Sequence, residues 1–515
     1  MNNKKHFKYI AYFLVHLSVI IIWSSCRKDF ESISSNGNLR FSTDTIHMDT
    51  LFTGIKSEVK RMTVYNDSDE DIHIPEIYLE QGNTSKYSLN VNGSPTENEE
   101  ITDATGKYFE NVPIMAQDSI FVFVETHIDV NEDILDENQN YNDRIIFDSS
   151  HTSQNVVLTS VVKDANYIIL DESRNLRNIE TNFFDNEGAA ITVEGYELTD
   201  EELLWDNDKA VVIYGNIIVT SGKTLTINAG ARIHFHEDSG LIIEAGGKIL
   251  MEGNKSEDNE ILENEIIIEG DRIAEIYDNL PGQWGFIWIQ EGSTENEIRN
   301  TTIKNASIGL LVEGELNLEN VQIYNTSGVG MQANNATVNA LNLCVNNCQQ
   351  GSVHLSGGNY EFQYATIANH DTFNNIGSTA LRLSNYTIDD SEDVALNAQF
   401  TNCIISGDRF SEITYYEDDT RDFNIHFSHC LIQQQESSIT QEAYNDLNNT
   451  DYFESCIFND DPNFKDTANN DFRISEDSPA NAKALATENQ LDISGNERNL
   501  TTPDIGAYES SIFDE

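Results

Sequence analysis

The 515-residue sequence is short of basic residues, of proline and of long apolar runs. It carries 30 lysines and arginines against 87 aspartates and glutamates, which gives a formal net charge of −57. Such a surface repels nucleic acids and anionic glycans unless cations bridge them, so we expect no nucleic-acid partner. The same excess of acid suits weak Ca²⁺ binding, although plain solvation is its commoner role. With only seven prolines and no low-complexity block, the sequence predicts a folded chain.

One long apolar run is present, at residues 9–23, and it follows a basic N-terminus. It is shorter than the about 20 residues that a membrane-spanning helix needs, but it has the length of a signal peptide. It ends in Trp23-Ser24-Ser25-Cys26, which resembles a bacterial lipobox. The resemblance implies that residues 1–25 are a lipoprotein signal peptide and that Cys26 is lipidated, for example with palmitate. An uncleaved N-terminal anchor is the alternative.

Residues 26–36 are predicted to form a lipidated tether. The sequence Lys28-Asp29 after Cys26 resembles the surface-export signal of Bacteroidetes lipoproteins. This resemblance implies a protein on the outer membrane that faces the outside of the cell. Several acyl chains on one cysteine anchor stably, because each buried methylene contributes about 0.8 kcal/mol.

Residues 37–165 contain about seven short runs of alternating apolar and polar residues, separated by turn residues. This pattern predicts an antiparallel β-sandwich. The runs at 41–46, 51–54, 64–66 and 118–124 resemble an Ig-like domain common in Bacteroidetes lipoproteins. Residues 166–210 are predicted to connect this domain to the next one.

Residues 211–460 contain strands joined by tight turns, with a repeat that ends in an Asn-like position. Positions two and four before that residue are apolar or small, which places them in one stacked core. The spacing of 20 to 38 residues predicts a three-faced parallel β-solenoid. The terminal residues of the seven copies are Asn305, Asn325, Asn347, Asn369, Gly407, Gln434 and Asp460.

Five cysteines follow Cys26 in the sequence. Cys403, Cys430 and Cys456 occupy the same inward position of successive copies. Strands about 4.8 Å apart are a poor geometry for a disulfide, so we expect a ladder of free thiols. Cys344 and Cys348 flank a turn, and the sequence leaves open whether they are free or paired.

The C-terminal motif Pro503-Asp-Ile-Gly-Ala-Tyr-Glu509 resembles the last segment of a large group of bacterial right-handed parallel β-helix proteins. That resemblance implies a right-handed parallel β-helix of the pectate-lyase-like kind, and it says little about activity. We expect residues 461–515 to cap the last coil, because a solenoid must cover its final apolar layer.

A catalytic site was sought among the basic residues of the coils, since parallel β-helices carry polysaccharide lyases and hydrolases. A polyuronate lyase needs clustered cations to neutralise a sugar carboxylate. The best candidates are the residues of one acidic loop with two arginines: Arg409, Tyr415, Asp418, Asp419 and Arg421. A solvated acidic loop explains the same residues.

Metal binding has one weak candidate, the outward pair His234 and His236, which could hold zinc or copper. A surface histidine pair is the plainer interpretation. No cofactor is predicted with certainty, and Ca²⁺ is the one suggested by charge.

Two features suggest ligand binding. Trp284, Phe286 and Trp288 lie on one strand face, which is either buried beneath other elements or a stacking platform for sugars. Residues 320–360 carry no charge, and their amides, including Asn325 and Asn347, could bind a glycan or a protein. A turn with an asparagine ladder and a face covered by another domain is the alternative.

Three functions remain open from the sequence. The leading hypothesis is a lipid-anchored surface protein with a non-catalytic binding or adhesion role, with glycans as candidate ligands. The second is a polysaccharide lyase or glycoside hydrolase, and the third is a structural protein of the envelope.

Overall fold

A computed structural model describes residues 32–54, 56–93, 106–129, 140–149, 152–170, 174–184, 190–258, 261–273, 275–370, 378–386, 394–436 and 442–513. Cys26 and the predicted signal peptide lie outside the described residues. The chain divides into two compact units between Lys163 and Asp164. In the described ranges, no helix is long and apolar enough to cross a membrane. The helices there are 3₁₀ turns: Gly82–Thr84, Asp200–Glu202, Glu275–Tyr277, Ala443–Asn445 and Thr467–Asn469.

The first unit is the predicted β-sandwich, and it has more strands than the sequence indicated. One sheet has six strands: Ile33–Ser34, Thr45–Phe52, Ile72–Leu79, Tyr108–Ile114, Asn140–Asp148 and Ser153–Lys163. The other has four strands: Arg40–Phe41, Lys60–Tyr65, Tyr87–Val91 and Ser119–Thr126. Most neighbours are antiparallel, but Ser153–Lys163 pairs with Thr45–Phe52 in parallel. Both sheets contribute to one apolar core, which includes Val64, Ile120 and Phe147.

The second unit is the predicted parallel β-helix, built from two long sheets. The larger sheet has eighteen strands: Ala165–Ile168, Leu204–Trp205, Ala210–Ile213, Thr224–Asn228, Arg232–Phe235, Lys248–Glu252, Ile266–Gly270, Asn296–Lys304, Glu315–Thr326, Thr337–Cys348, Gly358–Gln363, Thr366–Asn369, Leu396–Thr401, Ile404–Gly407, Phe423–Ser428, Leu431–Ile432, Phe453–Glu454 and Ile457–Phe458. The smaller has ten: Arg177–Phe184, Ala190–Glu197, Asn216–Val219, Gly240–Ile243, Trp284–Ile289, Ala306–Val312, Val329–Asn334, Gly351–Ser356, Leu381–Ser384 and Ile413–Tyr416. A hairpin of Phe464–Asp466 and Asp471–Ile474 follows.

Each coil has three faces, because the chain turns a corner inside the longer strands of the eighteen-stranded sheet. In Asn296–Lys304 this corner is Asn300, with a φ of +43°. Residues before the corner pair with Lys248–Glu252, and residues after it pair with Ile266–Gly270. We call these two halves the first face and the second face, and the ten-stranded sheet is the third face.

The predicted repeat is confirmed in its register. The residues two positions before each predicted terminal residue are successive pairing partners on the second face: Ile303, Ile323, Val345, Ile367, Ile405, Ile432 and Phe458. All of them except the half-buried Phe458 are buried in the core. The apolar pattern therefore fixed which residues stack.

Asparagines stabilise two corners of the coil, of which the sequence analysis identified one. At the predicted corner, Asn347 donates to Asn325 Oδ1 at 2.7 Å, and both residues have positive φ. The corner between the first and second faces has a matching ladder, in which Asn342 donates to Asn320 Oδ1 at 2.9 Å. Asparagine suits both corners because its short polar side chain tolerates the left-handed conformation and bonds along the stack.

The start of the solenoid differs from the predicted boundary at residue 211. The segment 166–210, predicted as a connector, already contains solenoid strands, since Ala165–Ile168 pairs in parallel with Ala210–Ile213. Leu198 and Trp205 belong to the solenoid core. The coils thus begin near residue 165, because these short apolar strands cover the first layers.

The cysteine ladder is confirmed. Cys344, Cys348, Cys403, Cys430 and Cys456 are all free thiols, and all but Cys456 are buried. The backbone N–H of Cys403 lies 3.4 Å from Cys430 Sγ on the next coil. The thiols pack as small apolar groups inside the solenoid.

Candidate functional site

A cleft of about 800 Å³ lies on the outward side of the second face. Its floor is formed by Glu269, Thr302, Lys304, Gln322 and Tyr324. These residues alternate with the buried residues of three successive strands, so their side chains point away from the core.

One wall of the cleft comes from residues 261–265, which directly precede the strand Ile266–Gly270. Arg232, on the solenoid, holds this wall in place. Its guanidinium donates to the carbonyls of Ile261 at 3.1 Å, Leu262 at 2.6 Å and Glu265 at 2.7 Å. Five-donor arginine is suited to fixing several carbonyls at once.

The opposite wall comes from the C-terminal segment. Phe472 and Tyr508 pack against Tyr324 and Cys344 of the second face. Asn346 also donates to Asn470 Oδ1 at 2.9 Å. These contacts place Asn470 and its neighbours Asp471 and Arg473 beside the cleft floor.

This arrangement corrects the prediction that residues 461–515 cap the last coil. The described part of the segment lies along the second face, where Leu485 O accepts from Tyr364 Oη at 3.1 Å and from Asn402 Nδ2 at 2.8 Å. The outward positions there are apolar, as at Ile404 and Leu431, and need cover. Tyr444 and Tyr452, which precede the predicted cap, pack against the solenoid core in its place.

The floor holds a fixed ion pair. Lys304 Nζ lies 2.8 Å from Glu269 Oε2, and the buried imidazole of His234 lies 3.6 Å from Glu269 Oε1. Both members of the pair are largely shielded from solvent. The carboxylate is therefore held in one orientation with its charge balanced, and it can still accept a hydrogen bond from a ligand.

The walls carry two carboxyl groups whose pKa values are shifted in opposite directions. Burial raises the pKa of Glu265 above its ordinary value. Burial acts in the same direction on Asp471, but hydrogen bonds from Arg473, one of them at 2.7 Å, bring its pKa below the ordinary value. Glu265 is thus the carboxyl that is easier to protonate, and Asp471 stays ionised.

Neutral hydrogen-bonding groups occupy the centre of the floor. Gln322 Oε1 accepts from Tyr508 Oη at 3.3 Å and also from Tyr324 Oη, and Gln322 Nε2 lies 3.4 Å from Thr302 Oγ1. Burial raises the pKa of both tyrosines well above the usual value, so both hydroxyls remain protonated. The floor is thus lined by amide, hydroxyl and aromatic groups, of which Gln322 is half-buried and Thr302, Tyr324 and Tyr508 are buried.

The charge-free stretch 320–360 therefore has two roles. Part of it lies under the C-terminal segment, which confirms the interpretation of a covered face. Another part, including Asn320, Gln322 and Asn325, lines the cleft. Of the two predicted binding amides, Asn325 lines the cleft and Asn347 lies behind it, bonded to Asn325.

Of the two alternatives for the aromatic strand, the structure shows burial and not a stacking platform. Trp284 is buried in the core, where its ring stacks on Phe235 at 4.7 Å. Trp288 lies on the other side of the strand, in a cluster with Ile242 and the half-buried Phe286. A shift in register between residues 286 and 287 breaks the alternation and separates the two tryptophans. The strand is thus buried on both sides.

The predicted catalytic loop is organised by its own backbone. Asp418 Oδ1 accepts from the backbone N–H and the hydroxyl of Thr420, and these bonds lower the pKa of Asp418. Asp419 is exposed. Arg421 Nε lies 3.9 Å from Asp418 Oδ2. Hydrogen bonds from one side chain to the neighbouring backbone are typical of a surface turn, which is the plainer interpretation of this loop.

The other two predicted catalytic residues, Tyr415 and Arg409, have different surroundings. The ring of Tyr415 packs 4.5 Å from that of Tyr444 against the core, and burial raises the pKa of Tyr415. The backbone N–H of Arg409 donates to Glu412 Oε1 at 2.7 Å. Burial raises the pKa of Glu412 to about 7, so sequence reasoning missed a structural carboxyl beside Arg409.

The histidine pair does not converge on one point. His234 Nδ1 lies 3.2 Å from Gly270 O, whereas His236 Nδ1 contacts Asp271 Oδ2 at 2.7 Å and its ring stacks on Tyr214. Within the described parts of the chain, no three His, Cys, Asp or Glu side chains are grouped to hold a metal ion. His234 instead supports Glu269 of the cleft.

Comparison with known proteins gives no family. No protein-family model and no curated protein matches the chain. Among solved structures it is similar to a GH87 α-1,3-glucanase catalytic domain, with 12% identity, a TM-score of 0.19 and coverage of 72% of this chain and 82% of that one. It is also similar to a family 123 glycoside hydrolase from Clostridium perfringens, with 12% identity and a TM-score of 0.16, over 24% of this chain and 23% of that one. PapD-like domain 7 of human CEP192 matches with 9% identity and a TM-score of 0.16, over 28% of this chain and 98% of the domain. Likenesses at this level say nothing about activity.

Sequence reasoning missed most of the cleft. The repeat alignment places Thr302 with Gln322, and Lys304 with Tyr324, at outward positions, so the floor could have been found from the sequence. The wall at Asp471 could not have been found from the sequence, because no sequence pattern places Asp471 beside strands that lie about 150 residues earlier.

Proposed function

We propose that this protein is a lipid-anchored envelope protein that binds a neutral glycan, without cleaving it, in the cleft on the second face. The observation that carries the proposal is the composition of the cleft floor. Gln322, Thr302 and Tyr324 offer donors and acceptors, while the one charged pair there, Glu269 with Lys304, is internally balanced.

The charge of the cleft supports a neutral ligand. On a chain with a net charge of −57, two cations of the cleft are paired with carboxylates, Lys304 with Glu269 and Arg473 with Asp471. Sugar hydroxyls both donate and accept, so they can replace water on such a floor. Tyrosines supply apolar area together with a hydrogen-bonding tip.

The first test is binding of the full-length chain, in detergent, to an array of neutral oligosaccharides. We expect Gln322→Ala to weaken binding of the strongest glycan about fivefold, since a neutral hydrogen bond contributes about 1 kcal/mol. Isothermal titration calorimetry measures the change. Gln399→Ala is the matched control, because Gln399 is an exposed glutamine on the first face. Equal losses in the two variants, or no binding to any neutral glycan, would count against the proposal.

A glycoside hydrolase is the second candidate, and the two wall carboxyl groups favour it. Glu265 has a raised pKa and Asp471 a lowered one, and a pair of carboxyls with separated pKa values is typical of an acid and its partner in glycoside hydrolysis. Release of reducing ends from the bound glycan, abolished in Glu265→Gln, would establish the enzyme in place of the binder.

For the location we propose attachment to the outer membrane through acyl chains on Cys26, facing outwards. The support is the sequence alone: the short apolar run, the residues Ser24-Ser25-Cys26 and the following Lys28-Asp29.

Metabolic labelling with radioactive palmitate tests the anchor. We expect the full-length chain to incorporate label and Cys26→Ser to lose it completely, because no other residue would carry the acyl chains. Cys456→Ser is the control, since Cys456 is the one described cysteine that is only half-buried. Label that persists in Cys26→Ser would disprove lipidation at this residue.

A further inference from the structure

The four-stranded sheet of the first unit has an aromatic outward side. Ile120, Val122 and Val124 point into the sandwich core, so the alternate residues Phe121 and Phe123 point outwards. Their ring centroids are 6.3 Å apart, and Phe121 is 39% exposed. Exposed aromatic pairs of this kind mark interaction sites more often than isolated apolar residues do.

Two arginines lie on the same side of this sheet. The guanidinium of Arg61 sits 4.9 Å from the ring centre of Phe121, and that of Arg40 sits 3.8 Å from the ring centre of Tyr65. Arg40 also pairs with Asp67 at 2.6 Å. By contrast, Arg61 is exposed and makes no ion pair with any residue that the structure describes.

The six-stranded sheet of the same sandwich has a different outward side. There Tyr78 and Tyr108 lie 6.2 Å apart, close to Glu76 and Glu110. Burial and these carboxylates raise the pKa of Tyr108. The arginine of that side, Arg144, is paired with Glu80 at 3.4 Å. An arginine without an ion pair to a described residue, beside the exposed ring of Phe121 and the half-buried ring of Phe123, is therefore a property of the four-stranded sheet.

We infer that this side of the four-stranded sheet, defined by Tyr65, Phe121, Phe123, Arg40 and Arg61, is a second binding site, for an acidic oligosaccharide. A guanidinium that lies over a ring can still pair with a carboxylate through its N–H groups. The apolar side of a pyranose ring packs on Phe121 and Phe123. This site is independent of the cleft.

The net charge of −57 argues against an anionic ligand, but the electrostatic repulsion that it causes acts only over a short distance. At physiological salt the Debye length is about 8 Å, so distant carboxylates are screened and the local charge decides. Around Phe121 that local charge is Arg61. The acidic residue on the same side of Ser119–Thr126, Glu125, is matched by Lys56 at 2.8 Å.

Calorimetry with the full-length chain in detergent tests the site with two probes, a hexamer of galacturonic acid and the same hexamer with its carboxyl groups reduced to alcohols. We expect the acidic hexamer to bind at least about tenfold more tightly, since charge-assisted bonds are the stronger ones. Arg61→Gln should remove that preference, and Phe121→Ala should weaken both probes.

The controls use the opposite side of the sandwich and the cleft. Arg144→Gln, Tyr108→Ala and Gln322→Ala should leave binding of the acidic hexamer unchanged. Equal affinity for the two probes, no binding of the acidic hexamer, or full binding in Arg61→Gln would overturn the inference. Loss of acidic binding in Gln322→Ala would assign the ligand to the cleft and also overturn it.

Discussion

Replacing Phe400 by alanine is expected to lower the free energy of unfolding of the solenoid by about 3–5 kcal/mol. Phe400 is fully buried in a column of stacked rings, with Phe362 at 5.1 Å and Phe427 at 4.8 Å. Alanine leaves a cavity between two rings of neighbouring coils. Strands paired on both sides restrict the collapse that would fill it.

Urea denaturation measures this loss, and hydrogen exchange locates it. Each coil of a solenoid contacts mainly its neighbours, so amides of the adjacent coils should exchange faster while those near Ile217 keep their rates. Phe410→Ala is the matched control, since Phe410 is 76% exposed, and it should change stability by less than about 0.5 kcal/mol. Equal effects of the two substitutions would contradict the stacked-core account.

Arg498→Met is expected to release the C-terminal segment from the second face. The free energy of unfolding should fall by about 3–5 kcal/mol, because the substitution breaks a buried charged network. Its side chain is 1% exposed and lies 3.2 Å from Glu509 Oε1. It also donates to Asn342 Oδ1 at 3.0 Å and to Gly506 O at 3.1 Å. Its guanidinium lies 3.9 Å from the ring centre of Tyr364. Methionine removes the donor to each of these oxygens, although Glu509 Oε1 still accepts from the backbone N–H of Asp504 at 2.9 Å.

Limited proteolysis detects the release, because cleavage within 461–513 should become much faster than in the unaltered chain. Glycan binding in the cleft should fall with it, since Asp471 and Tyr508 form one wall. Arg299→Met is the control: Arg299 is half exposed and pairs with Glu297 and Glu319 at the surface, where ion pairs contribute about 0–1 kcal/mol. An Arg498→Met chain with unchanged proteolysis would show that Arg498 does not hold the segment.

Some features of the site were accessible from the sequence because they follow from local periodicity. The inward residues of each copy set the register, and the register places Thr302 beside Gln322 and Lys304 beside Tyr324. The same reasoning failed for Trp284 and Trp288, because one bulge in the strand reverses the alternation on which it relies.

The sequence by itself determined the solenoid, its stacking register and the free thiols of Cys403, Cys430 and Cys456. Each of these depends on contacts between adjacent copies of one repeat, and a periodic pattern of apolar residues encodes such contacts directly. The tertiary structure alone decided where residues 461–513 lie and, with them, the cleft. That contact joins Arg498 to Asn342 across more than 150 residues, and it depends on the shape of two finished surfaces rather than on any pattern along the chain.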